Sequence, residues 1–162
     1  MDYTVPEYRK NILSPEEVHF FYYDIMNNAE DSIQFIYDWN NDVQDYLTSK
    51  GIVVEVREIN DFPKIVEENR LYFVVDKIDK NNKAIAFFRH LRNAFAHFRI
   101  VREGEWLNIM DGVWRGKEKD KYWEKTMIGL IKYEDLKELC FILPDSIENR
   151  IEAIVPALPS GR

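Results

Sequence analysis

The sequence predicts a mainly α-helical domain that carries a small β insert directly after its best-marked helix. Three observations lead to this. Ser14-Pro15-Glu16-Glu17 has the chemistry of a helix start: a capping hydroxyl, a proline in the first turn, then acids that favour the positive end of the dipole. From Lys83 to Phe98, apolar residues recur at helical spacing with no Gly or Pro. After Phe98 the period shortens to that of a strand, with turn residues at Glu103-Gly104-Glu105 and Asp111-Gly112.

Taken in order, Val18, Phe21, Ile25, Ile33, Ile36, Tyr37, Val43 and Leu47 keep one helical face apolar up to Gly51, a stop signal. Asn27-Asn28-Ala29-Glu30 marks a break in that stretch. Ile52 to Arg57 is β-branched and reads as a short strand or an ordered connector. Phe62-Pro63 opens a helix-like segment to about Lys77, although Leu71 to Val75 has strand character. Asp79 to Asn82 is a polar turn before the helix of Lys83–Phe98. A hairpin follows, then a charged loop at Lys117 to Lys121 and a strand at Thr126 to Ile131. A helix from about Glu134 to Phe141 ends at Pro144, and one more short helix reaches Val155. Residues 1–155 thus form one domain, with the β insert at about 99–131 and a frayed tail at 156–162.

A chain of 162 residues suits a single domain with a real core, and 14% aromatic residues argue against disorder over most of its length. The one cysteine, Cys140, excludes an internal disulfide and a cysteine-cluster metal site; its apolar neighbours make it a buried thiol. No apolar run is long enough for a membrane helix, and Met1 to Glu7 lacks the character of a signal peptide, so a cytoplasmic location is expected. A net charge of −7 argues against broad, non-specific affinity for nucleic acid. No metal or other cofactor is expected: Asn40 to Asp45 follows a helical pattern without a turn glycine, and no phosphate-cradling glycine loop occurs.

On a helical wheel of residues 83–98, Ala84, Phe88, Leu91, Phe95 and Phe98 make a core stripe. Ala86, His90, Asn93 and His97 lie opposite, with Arg89 and Arg92 to one side. No carboxylate occurs from Ala84 to Val101, so the outward arc is cationic and suits a phosphate. Histidine exchanges protons near neutral pH, and arginine offers a fork of donors to a phosphoryl oxygen as charge builds. These residues therefore fit RNA cleavage by a ribose 2′-hydroxyl. Arg92, Asn93 and His97 are the candidate catalytic residues, and Arg89, His90 and Arg99 the candidate substrate contacts. Arg92 and His97 lie about 140° apart around the helix, so either Arg92 reaches around it or a second copy of the helix completes the site, the latter predicting a homodimer.

Arg92-Asn93-Ala94-Phe95-Ala96-His97 resembles the motif of HEPN ribonucleases, an Arg followed by Asn and, after a short spacer, a His. Phe88 to His97 is similar to the motif helix of small bacterial HEPN-family proteins, and the acidic, leucine-rich stretch Tyr133 to Leu139 adds to that similarity. The resemblance implies an up-and-down bundle of four to five helices that forms a homodimer through the motif helices. It also implies a metal-independent endoribonuclease of defence, phage-exclusion or toxin type, with RNA as partner and an antitoxin or regulatory protein as a possible second one. Carried onto this chain, it makes Arg92 and His97 the catalytic pair and Asn93 their support. A non-catalytic dimeric module that binds RNA, nucleotide or protein is the alternative. A second basic cluster, Trp114 to Lys125, interleaves aromatics with cations, but acids interrupt it and cross-strand pairing of its tryptophans is the plainer account.

Overall fold

The structure, a computed structural model, describes residues 12–26 and 39–154, with side chains as far as Leu143. It corrects the expected fold class. In place of a mainly α bundle with a small hairpin insert, the described residues form an α/β domain built on a five-stranded mixed sheet. The strands are β1 (Val53–Val56), β2 (Arg70–Phe73), β3 (Ile100–Glu103), β4 (Trp106–Arg115) and β5 (Tyr122–Lys132). Their order across the sheet is β1-β2-β5-β4-β3; β1 and β2 are parallel and every other pair is antiparallel. The supposed insert is the larger part of this sheet. β5 pairs along its length with β4 and also takes β2 on its other edge, through Arg70↔Leu130 to Phe73↔Met127.

The helix expected from Phe62 to Lys77 is absent for the same reason. Leu71 and Phe73 point into the core, so this stretch gains more as a strand between β1 and β5 than as a helix with a single apolar face. Around it lie irregular backbone and short 3-10 turns at Ile59–Asp61 and Lys77–Asp79.

Four α-helices accompany the sheet among the described residues: α1 (Pro15–His19, continued by a π-helical stretch, Phe20–Met26), α2 (Asn41–Lys50), α3 (Lys83–Ala96) and α4 (Tyr133–Ile154). The capping hydroxyl expected at Ser14 is found as one half of a capping box: Glu17 N–H donates to Ser14 Oγ at 3.2 Å, and Ser14 N–H donates to Glu17 Oε2 at 2.8 Å. Asn40 caps α2, and Gly51 ends it in the left-handed conformation at φ 66°. The helical backbone of α4 continues past Pro144 to Ile154; proline removes one N–H there without ending the helix. The expected break at 27–30 and the tail at 156–162 lie outside the described residues.

One contiguous core joins Phe20, Phe21 and Ile25 to Phe87 and Leu91 of α3, to Leu71, Phe73, Ile109 and Met127 of the sheet, and to Leu136 and Leu139 of α4. Cys140 belongs to it, and burial pushes its thiol well above the ordinary range. Gly129 lets β5 pass close to Leu71, whose side chain fills the place of a Cβ. Among the described residues, no helix is long and apolar enough to cross a membrane.

Candidate functional site

Helix α3 carries four of the six candidate residues and has a fifth, His97, at its C-cap, and the structure places them in distinct environments. The helix starts where Ile85 N–H donates to Asn82 Oδ1 at 3.0 Å. It then runs between the sheet and the N-terminal π-helical stretch, so it is covered over a wider arc than a bundle would require. Ala86, Phe87, His90 and Ala94 are buried along with Ala84, Phe88 and Leu91.

His90 therefore does not face solvent. It is wholly buried, with Nδ1 2.7 Å from Asp111 Oδ2 and Nε2 2.8 Å from the Val74 carbonyl oxygen. Arg89 Nη2 also lies 3.3 Å from Nε2, so both ring nitrogens are engaged within the protein. Thr126 Oγ1 completes the cluster, 3.4 Å from His90 Nδ1 and 3.5 Å from Asp111 Oδ2. Thr126 is the extra residue of a β-bulge: Asp111 pairs with Met127 and Gly112 with Lys125, which turns its hydroxyl toward the helix.

Arg89 is also taken up internally. Nε lies 2.5 Å from Asp79 Oδ1 and Nη2 lies 2.9 Å from Oδ2, a bidentate pair with a carboxylate that is fully buried. Burial pushes the Asp79 carboxyl up, but the hydrogen bonds from Arg89 and from Asp76 N–H outweigh it and hold the group below its ordinary range. The two substrate contacts expected at Arg89 and His90 are thus corrected: both residues fasten α3 to the sheet and to the turn before the helix.

Arg92 and Asn93 are half-buried, and His97 is exposed. His97 lies on the same line of the helix as Ala86 and His90, and reaches solvent because the helix ends there. The ending is a Schellman motif, in which Arg99 N–H donates to the Ala94 carbonyl at 2.8 Å and Phe98 N–H to the Phe95 carbonyl at 3.0 Å. The residue that takes the left-handed conformation is Phe98, at φ 56°, where glycine is usual. Its side chain, placed in the core by the wheel, is 93% exposed. Arg92, Asn93 and His97 thus share the last turns of α3, apart from the locked pair Arg89 and His90.

Arg99 crosses to the face of the sheet opposite the helices, because its register partner is Met110, one step beyond Ile100↔Ile109. Its guanidinium lies 4.5 Å from the centroid of the Trp123 ring. Trp123 rests on Gly112, where any side chain would overlap its ring.

The buried partners Asp79 and Asp111 escaped the sequence reading. A signal for Asp111 was present: Leu107, Ile109 and Asp111 alternate on one strand face, which puts the carboxylate among apolar residues rather than in a turn. No family model, curated protein or solved structure matches the chain.

Proposed function

We propose that the chain is a cytoplasmic endoribonuclease that needs no metal or other cofactor and acts as a homodimer, with His97 as its proton-transfer group. One observation carries the reading: an accessible histidine caps a helix that also presents Arg92 and Asn93, on a stretch without a carboxylate from Ala84 to Val101. The resemblance of Leu91 to His97 to the HEPN motif supports the reaction. The support comes from this helix and not from the overall architecture, which is a mixed sheet and not a bundle.

In this reaction His97 takes the proton of a ribose 2′-hydroxyl, and the oxygen attacks the adjacent phosphorus. The bond from phosphorus to the 5′-oxygen breaks, that oxygen takes a proton from water, and a 2′,3′-cyclic phosphate and a 5′-hydroxyl remain. Arg92 stabilises the charge that develops on the phosphoryl oxygens. The two side chains leave the helix about 140° apart, so Arg92 of one chain works with His97 of a second. An apolar shelf beside His97, formed by Ile12, Val18, Phe98 and Val101, gives a second copy a surface to cover. The test is incubation with total RNA and with tRNA in EDTA, reading the chemistry of the new ends. Cyclic phosphate ends made by the wild type and lost in Arg92→Ala and His97→Ala support the assignment; cleavage that survives both substitutions removes it.

A second reading has its own support. With His90 buried, α3 offers a single accessible imidazole per chain, as suits a module that binds RNA or nucleotide without cutting it. Retention of intact RNA by a folded dimer, at any protein concentration, favours that reading.

A further inference from the structure

The outer face of the sheet, away from the helices, ends at the β4–β5 tip in a cluster that the cleavage reading leaves unused. Trp114 and Trp123 are register partners and lie on this face together. The pairing expected from the sequence is therefore present, yet it does not hide the first ring. Trp123 is held by Gly112 and Arg99, while Trp114 remains 65% exposed. An open recess of about 330 Å³ lies between Arg99, Met110, Trp114 and Trp123. It adjoins, through Met110, a second recess of about 220 Å³ with Lys64 and Lys125 on its walls.

The electrostatics of the tip differ from those of the chain. Arg99, Arg115, Lys117, Lys119, Lys121 and Lys125 stand against three acids, Glu118, Asp120 and Glu124, in a protein of net charge −7. Glu124 is already bound to Arg115 at 3.2 Å. An exposed indole held next to a stacked guanidinium and ringed by lysines provides what an unpaired nucleotide needs: a π-face for the base and cations for the phosphates. A base paired within a duplex has no free face to offer it. A small aromatic metabolite would have no use for cations spread from Lys64 to Lys121.

We propose that this outer face binds single-stranded RNA, with one base stacked on Trp114 beside the Arg99–Trp123 pair and the backbone running over Lys117, Lys119, Lys121 and Lys125. The site deepens the ribonuclease reading by naming the form of RNA that enters. A strand held at Arg99 is two residues from His97, at most about 7 Å along the chain.

The test uses a fluorescein-labelled, uncleavable 2′-O-methyl oligouridine and the full chain, so binding is read apart from cutting. The wild type is expected to bind it and to lose tryptophan fluorescence on binding. Trp114→Ala, at an exposed position, is expected to bind about 5- to 100-fold more weakly. Replacing Lys117, Lys119 and Lys121 together by Ala is expected to lower the slope of log affinity against log salt by about 2. A duplex of the same length is expected to compete poorly. Equal affinity of the Trp114→Ala chain and the wild type overturns the platform even if RNA is cleaved. Tight binding by the platform without cleavage upholds it and removes only the catalytic reading.

Discussion

Arg89 brings positive charge under the sheet and meets the buried Asp79 carboxylate there, while His90 hydrogen-bonds the buried Asp111. Taking charges out of water is costly, so such pairs hold a structure together chiefly by what happens when one partner goes. Asp79→Asn leaves Arg89 without its bidentate partner and is expected to lower stability by about 3 kcal/mol, read from denaturant midpoints. The sign of the pH effect follows from the depressed Asp79 carboxyl. Its contribution is present above the unfolded carboxylate range, near pH 4, and is lost as pH falls through the lower folded value. The Asp79→Asn chain should accordingly show a flatter loss of stability below pH 4 than the wild type; an unchanged acid limb contradicts the pairing. At this scale the sequence was informative where neighbours decide the outcome. Cys140 in its apolar run is buried, and His97 after the last turn of the helix is exposed. It misled at His90, because a helical wheel reveals the apolar face and not the number of layers that will cover a helix. Asp111 and Val74, which hold His90, are 21 and 16 residues away.

Helix α3 ends with an aromatic in a backbone conformation that costs an L-residue about 1–2 kcal/mol, and the ring gains little burial in return. Phe98→Gly is therefore expected to raise stability by about 0.5–1 kcal/mol, after allowance for the greater freedom of glycine in the unfolded chain. If the apolar shelf joins two copies, the same substitution weakens their association in sedimentation experiments. A destabilised Phe98→Gly chain refutes this account of the helix end. Elements with strong local signals were legible: the helix start at Ser14, the stop at Gly51, α3 itself and the β3–β4 hairpin, although the turn expected at Asp111-Gly112 is the middle of β4. The segment 62–77 was not. A short apolar run reads alike as helix or strand until its partners are known, and the partners of β2 are β1, earlier in the chain, and β5, more than fifty residues later.

For the molecule as a whole, the parallel β1–β2 pair and the closure of β2 on β5 turn an expected insert into the centre of the domain. No local periodicity encodes those long-range pairings, which is why a bundle was expected and a mixed sheet is found. The sheet gives α3 a rigid floor, and it separates two surfaces: the helix end with His97 and the outer face with Trp114. If the catalytic pair is shared between copies, mixing Arg92→Ala and His97→Ala chains restores roughly a quarter of the wild-type rate, since half of the dimers are mixed and each keeps one intact site. No recovery on mixing places both residues in one chain. The central claim, that His97 transfers the proton in RNA cleavage, is tested most directly by one comparison. A single labelled RNA is incubated in EDTA with wild-type protein and with His97→Ala protein of matched folding and dimer content, and initial rates are compared. The account predicts cleavage by the wild type with a loss of about 10²- to 10⁴-fold in the variant; equal rates, or no cleavage by either, contradict it.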